Sequence, residues 1–515
     1  MVIYQVFTRL FGAEAGNPVP DGTKRQNGCG TMSAFTMKAL GEIKALGVSH
    51  IWYTGIIEHA TCTDYSKYGI CKDNPQIVKG RAGSPYAIKD YYDVDPDLAV
   101  KVPNRIHEYE LLIERTHKAG MKVIQDFVPN HVARQYHSDA CPEGCEDLGE
   151  GDNPALNYSP ENNFYYLGES LHLDNIVSGA DGQYQEIPAK ATGNDVFSAW
   201  PSRNDWYETV KLNYGPSTYR KMRDILLYWA AKGVDGFRCD MAEMVPVDFW
   251  GWVIPQIKEV YPEIIFIAEV YNPALYRDYV YRGGFDYLYD KVGLYDKLRD
   301  VVAGRCSTQE ITGCWQNVQD IQDRMLNFLE NHDEQRIASD FFAGDAVKGR
   351  PMLLVSALMN TNPMMIYFGQ ELGERGMDQE GFSGMDGRTT IFDYWTVDTI
   401  RRWRNKGKFD GKLLTASEKA LQKYYQKILC LSAGEDAFSK GRFWDLMYVN
   451  PLLHRQYAFL RSYGGKTYLV VANFSDDVTE IIVNIPEDAC RAFGLKENIV
   501  RVKVKAWDGV IMIIR

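Results

Sequence analysis

The sequence predicts an α/β protein: a (β/α)8 TIM barrel with a loop domain inserted after its third strand and an all-β sandwich domain at its C-terminal end. Three observations carry this prediction. Eight short apolar runs alternate with amphipathic stretches, the pattern of parallel strands covered by helices. About ninety residues rich in Asn, Asp, Gly, Pro and Tyr separate the third run from the next helical pattern, too long for an ordinary strand-to-helix loop. Beyond residue 435 the chain changes to short strand-like segments parted by turns.

Taken in order, the expected barrel strands are Val2–Phe7, His50–Gly55, Lys122–Val128, Val234–Asp240, Ile264–Val270, Phe285–Asp290, Met325–His332 and Met364–Gln370. Helical patterns lie over Ala34–Leu46, Arg105–Ala119, Tyr219–Lys232 and around Ser356–Asn360, with a further amphipathic helix over Glu418–Leu431. The tail strands are Tyr457–Ser462, Thr467–Asn473, Val478–Ile485, Val500–Ala506 and Val510–Ile514. The domains are then residues 1–130 with 216–435 for the barrel, 131–215 for the insert and 436–515 for the tail.

Composition bounds the partners. The 515 residues carry a formal net charge of −11, which excludes nucleic acid and anionic membrane surfaces as principal partners, since both demand a basic face. No run approaches the roughly 18 apolar residues of a membrane span. The 33 Tyr and 11 Trp suit a neutral ligand with flat faces, although most such rings build core. Three of the cysteine pairings are close in sequence, Cys62/Cys71, Cys141/Cys145 and Cys306/Cys314. Polar loops stapled in this way belong to an oxidising compartment, so the chain is expected to be exported: periplasmic, cell-surface or secreted. No signal peptide is visible in the sequence.

Four expected strands end in polar residues. The third gives Asp126-Phe-Val-Pro-Asn130-His131, the fourth Gly236-Phe-Arg238-Cys-Asp240, the fifth Ala268-Glu269-Val270 and the seventh Glu330-Asn331-His332-Asp333. Strand side chains alternate faces, so Arg238 and Asp240 share one face, assigned to the barrel interior, and Cys239 turns outward as a small buried hydrophobe. A lone Asp or Glu is most often a structural ion pair. Three carboxylates converging on the active rim of a barrel fit retaining glycoside hydrolysis, in which one carboxylate attacks the anomeric carbon and another handles the proton. Arg238 beside Asp240 would favour the ionised nucleophile.

These segments, DFVPNH, GFRCDMAE, IAEV and LENHD in that order, resemble the four conserved regions of the alpha-amylase family of glycoside hydrolases. The resemblance implies Asp240 as nucleophile, Glu269 as acid/base and Asp333 as the third carboxylate. It further implies that Arg238, His131, His332 and Asp126 bind or support substrate, and that Tyr86, in Ser84-Pro-Tyr86-Ala-Ile-Lys-Asp90, stacks on the sugar. An α-glucan or malto-oligosaccharide would be the substrate, and no organic cofactor is implied. Asn130 matches a calcium ligand of the family, with Glu146-Asp-Leu-Gly-Glu-Gly-Asp152 as a source of hard oxygens. Asn27-Gly-Cys-Gly30 lacks the aspartates of the family's N-terminal calcium loop.

Two departures bear on specificity. Met241-Ala-Glu243-Met244 stands where many relatives carry a Lys-His pair. Lys211-Leu-Asn213 carries the Lys of the neopullulanase and cyclomaltodextrinase branch, although that branch usually has an extra domain before its barrel. The principal expectation is a hydrolase of mainly α-1,4 bonds in starch-like glucans. The alternatives are a neopullulanase- or cyclomaltodextrinase-type hydrolase, or a transglycosylase. A non-catalytic carbohydrate-binding relative is the reading from another class, and three intact carboxylates argue against it.

Overall fold

The structure is a computed structural model that describes residues 1–173 and 183–515. Its barrel strands are β1 (Val2–Phe7), β2 (His50–Thr54), β3 (Lys122–Phe127), β4 (Gly236–Cys239), β5 (Ile265–Ala268), β6 (Tyr287–Tyr289), β7 (Met325–Phe328) and β8 (Met364–Tyr367). Each pairs in parallel with the next, and β8 pairs with β1 to close the cylinder. All eight expected strands are present. β1 ends where predicted, at Phe7, and the other seven stop short; at the active rim this is because polar residues leave the ladder, β4 ending at Cys239 and β7 at Phe328.

Alternation along the strands sorts the core into two layers. Ile3, Trp52, Ile124, Ile267, Tyr289, Leu326, Phe328 and Met365 fill the barrel interior. Their sequence neighbours, among them Tyr4, Ile51, Tyr53, Val123, Phe237, Cys239 and Phe266, pack outward against the helices. Cys239 thus faces away from Arg238, as the pattern predicts. The helix Arg105–Lys118 shows how the outer ring is built: Tyr109, Leu112, Ile113 and Thr116 form its buried stripe. Gly120 at φ 76° terminates it, in the left-handed conformation a side chain resists. The Thr415–Glu418 capping box starts the long helix Ala416–Gly434.

Between β3 and the helix Pro216–Ala231 the chain makes the long excursion. His131–Ala133 pairs antiparallel with Thr209–Lys211 and closes its base. Leu171, Leu173, Ala189 and Ala199 give it a small core, joined by Ile77 from the loop after β2. The predicted insert, 131–215, therefore includes positions that lie outside the described residues. In the tail, β9 (Arg442–Asp445), β10 (Gln456–Tyr463), β11 (Lys466–Asn473) and β14 (Asp508–Ile513) form one antiparallel sheet, while β12 (Thr479–Asn484) pairs with β13 (Ile499–Val504). The fully buried Arg461 donates to the carbonyls of Leu358, Met359, Phe438 and Gly441, tying this sheet to the end of a barrel helix.

All ten cysteines are free thiols. The three sequence pairings are not cross-linked; the Cys141 thiol instead lies 3.7 Å from the Cys145 carbonyl. Among the described residues no helix is long and apolar enough to cross a membrane.

Candidate active site

The carboxyl ends of β3, β4, β5 and β7 meet at one rim, and each delivers its polar residues just past the ladder. Asp240 follows β4, and its N–H donates to the Phe127 carbonyl at 2.9 Å; Glu269 follows β5, and its N–H donates to the Cys239 carbonyl at 3.1 Å. Both carboxylates therefore hang from rigid strands, the placement that fixes a reacting group most closely. Met241 comes next at φ 43°, a left-handed conformation costing a non-glycine residue about 1–2 kcal/mol. That turn points its N–H at Glu269 Oε2, 2.8 Å away.

Arg238 organises the group from inside the barrel, fully buried. Its Nη1 donates to Asp240 Oδ1 at 2.8 Å and to Asp126 Oδ1 at 3.4 Å. Its Nη2 lies 2.7 Å from Glu269 Oε2, and its Nε donates to the Tyr289 hydroxyl at 3.2 Å. The Trp52 and Tyr86 ring centroids stand 5.1 and 5.5 Å from its guanidinium carbon. Trp52 Nε1 donates to Asp126 Oδ2 at 2.9 Å.

Three carboxylates, Asp126, Asp240 and Glu269, thus share one guanidinium, and burial is the largest influence on Asp126, Asp240 and the neighbouring Asp333. Asp126 is pushed up to about 6, by burial first and against the pull of Arg238. Asp333 is pushed up to about 7 by burial and then by the charge of Glu269, although a third of its side chain faces the cleft. Asp240 is raised well above the ordinary aspartate range by burial, with Arg238 opposing and its three carboxylate neighbours reinforcing. At Asp240, burial thus outweighs the pull of Arg238 that was expected to favour its ionised form.

His332 is held on both ring nitrogens. The Gln5 amide Nε2 lies 2.8 Å from Nδ1, so Nδ1 accepts. Nε2 therefore carries the proton, 2.6 Å from the Tyr86 hydroxyl and 3.2 Å from Asp333 Oδ2. Burial and the charge of Arg238 hold its pKa well below the usual histidine value. His131 is neutral too, lowered to about 3 by burial and by Lys211 and Lys79.

The cleft, about 270 Å³, is lined by Tyr86, His131, Asp240, Glu269, His332 and Asp333. Arg238 and Asp126, grouped with the substrate-binding residues by sequence, stand behind this lining because their polar atoms are spent on one another and on Tyr289 and Trp52. Asn130 departs further from expectation. The Lys211 ammonium donates to its Oδ1, and its Nδ2 donates to the Gly193 carbonyl at 2.8 Å. Lys211 also lies 2.8 Å from Asp195 Oδ1. A fixed ammonium holds the place expected for calcium, so the residues around Asn130 do not fit that ion.

Sequence reasoning missed several lining and supporting groups. The Tyr271 hydroxyl donates to Glu269 Oε1 at 2.6 Å; its position two residues past Glu269 was the available signal. Glu243, one of the departures from the family pattern, accepts the N–H groups of Tyr271 and Asn272 at 3.3 and 3.0 Å. It fastens the loop carrying Tyr271. Lys79, Trp206 and Phe382 also line the cleft, with Lys79 2.9 Å from Glu208. No local pattern announces these, because they come from the β2 loop, the insert and the segment after β8.

The family model described as "Alpha amylase, catalytic domain" matches residues 5–444. "Alpha-amylase MalA" of Haloarcula japonica is 25% identical over 73% of this chain, which spans 44% of that longer protein. "Cyclomaltodextrinase" of Thermoanaerobacter pseudethanolicus is 21% identical over 99% of this chain and 75% of that protein. A solved noncanonic maltogenic alpha-amylase, AmyB from Thermotoga neapolitana, superposes with a TM-score of 0.63 at 20% identity, covering 100% of this chain and 98% of its own. Likeness at that identity concerns the fold.

Proposed function

We propose that this chain, which belongs to the alpha-amylase family of glycoside hydrolases, cleaves α-glucosidic bonds, mainly α-1,4, in starch-like glucans or malto-oligosaccharides with retention of configuration. Asp240 attacks the anomeric carbon, displacing the glycosidic oxygen and forming a glucosyl ester. Glu269 delivers a proton to that leaving oxygen, then takes one from the water that opens the ester. The third carboxylate, Asp333, holds sugar hydroxyls at the reacting ring, and Tyr86 offers it a flat face.

The observation that supports this reading is the bridging of Asp240 and Glu269 by one guanidinium, with contacts of 2.8 and 2.7 Å. A single arginine fork keeps the two groups close. Retaining enzymes separate their carboxyls by about 5–5.5 Å, whereas inverting enzymes need about 6.5–9.5 Å to seat a water. The test is the anomeric form of the first product from maltotriose, followed by NMR: α-maltose supports the reading and β-maltose overturns it. Asp240→Asn must also remove turnover while leaving the circular dichroism unchanged.

A cyclomaltodextrinase- or neopullulanase-type activity is the second reading, favoured by Lys211 seated between Asn130 and Asp195 at the root of the insert. Rates on starch, pullulan, cyclodextrin and panose separate the two. Faster turnover of cyclodextrin and pullulan than of starch selects the second reading, and the reverse order selects the first.

A further inference from the structure

At the barrel end opposite the cleft, aromatic rings border a second groove. The helix Ile311–Asn317 supplies Trp315, and β9 with the turn after it supplies Phe443, Trp444 and Tyr448. Gln322 comes just before β7 and Asn360 just before β8. The groove therefore lies at the amino ends of these strands, whereas Asp240 and Glu269 follow the carboxyl ends of theirs. Its volume is about 500 Å³, against about 270 Å³ for the cleft.

The rings are held by fixed contacts. Trp315 meets Phe443 edge to face with centroids 5.3 Å apart, and Trp444 meets Phe493 in the same way at 5.7 Å. Trp444 Nε1 donates to the Tyr448 hydroxyl at 3.3 Å, and Trp315 Nε1 donates to Asp445 Oδ2 at 2.9 Å. Tyr448 is nonetheless 61% exposed. A single exposed ring needs no explanation, but four rings around one groove mark a binding surface. Rings already held in place lose little freedom when a ligand arrives.

The polar side chains show which ligand fits. Asp445 is the one lining carboxylate, and it is saturated. Its Oδ1 accepts the Met447 N–H at 2.6 Å, and its Oδ2 accepts from the Thr312 and Tyr457 hydroxyls at 2.6 and 3.0 Å as well as from Trp315. No lining residue brings a cation, so a nucleic acid or an acidic peptide would find no counter-charge. Four amides remain. Those of Gln316 and Gln319 are exposed and enter no hydrogen bond among the described residues. Gln322 Oε1 and Asn360 Nδ2 also lack partners. Amides both donate and accept, as hydroxyls do, and aromatic rings take flat apolar faces. A neutral, polyhydroxylated ring compound matches both halves of this surface.

We propose that this groove is a second saccharide site, which holds an α-glucan chain without cleaving it. Its only carboxylate is spent, so it offers neither a nucleophile nor a proton donor. The choice of an α-glucan among neutral saccharides rests on the function proposed above. Set at the far end of the barrel, the groove would tether the protein to a polymer while the cleft works on another stretch of chain.

The test is retardation of the full chain in native gels containing soluble starch. Asp240→Asn serves as the background, so that the matrix is not digested, and kcat/KM on maltotriose is measured with Asp240 in place. Tyr448→Ala alters an exposed ring and folds regardless; melting checks the fold of Trp444→Ala. Each variant should raise the apparent Kd for starch at least about fivefold, with kcat/KM on maltotriose within about twofold of the parent. Retardation equal to the parent's in both variants overturns the proposal. So does a matching loss of maltotriose turnover, which would put the rings in the service of the cleft. If the chain hydrolyses no α-glucan but these variants still weaken retardation, the proposed function fails and the groove stands.

Discussion

Replacing Asp126 with Asn tests whether burial or Arg238 governs the charges beneath the cleft. Asp126 is 6% exposed, and its pKa stands at about 6 against 3.8 for a free aspartate. That difference is worth about 3 kcal/mol at 1.36 kcal/mol per unit. The sign follows from proton binding. A carboxyl whose pKa is higher in the folded chain stabilises the fold below pH 3.8, and that stability is lost as pH rises through about 6. The Asn variant has no such proton to lose. Its amide oxygen still accepts from Trp52, but its NH2 faces Arg238, a pH-independent cost of about 1–2 kcal/mol. The variant thus melts below the parent in acid and gains on it as pH rises from about 4 to 8. At about 2.1 cal/mol/K per residue, the 515-residue chain has an unfolding entropy near 1 kcal/mol/K. The Tm difference should therefore swing toward the variant by about 3 °C. Differential scanning across that pH range measures it. A flat difference, or a swing the other way, would mean that Arg238 outweighs desolvation and that the reasoning is wrong.

Other substitutions probe single contacts. Tyr271→Phe removes the 2.6 Å bond to Glu269 Oε1; leaving a buried acceptor without its partner costs about 1–3 kcal/mol, so kcat/KM on starch should fall roughly 5- to 150-fold with Tm little changed. Parent-like kinetics would remove Tyr271 from the site. Glu269→Gln should injure starch far more than an activated aryl glucoside, whose leaving group needs no proton; equal losses on both substrates would deny it the acid role. Cys239→Ala should cost about 1–2 kcal/mol of stability through a small cavity and leave kcat within about twofold, because the thiol faces the helices. A collapse of kcat at normal stability would place it in the chemistry.

Which parts were legible follows from the range of the information. The eight strands declare themselves because each buries both faces, and a run of apolar residues records that locally. Asp240, Glu269 and Asp333 declare themselves because a polar residue ending such a run is conspicuous. Asn130 and Lys211 were each visible, but their contact was not. It depends on an antiparallel pairing of His131 with Lys211 across about eighty residues, and that pairing is what sets an ammonium in place of the expected ion. Glu243 was noted as an oddity without a purpose, since its partners are backbone N–H groups beyond β5.

The four carboxylates around Arg238 also bear on why the resting site is arranged as it is. Burial first, and then the like charges of neighbouring carboxylates, disfavours the ionised forms of Asp126, Asp240 and Asp333. In the proposed reaction the sugar approaches an oxocarbenium-like transition state and gains positive charge. That charge is the missing counterpart to a site holding one guanidinium among four acids. Neutral substrate gains little from the imbalance, whereas the transition state relieves it, so the electrostatic stabilisation is strongest where it accelerates the reaction. A second fixed cation in the cleft would ease the resting crowding and lose that difference. Consistent with this, the two cleft histidines are held neutral, and the nearest lining ammonium, Lys79, is already paired with Glu208 at 2.9 Å.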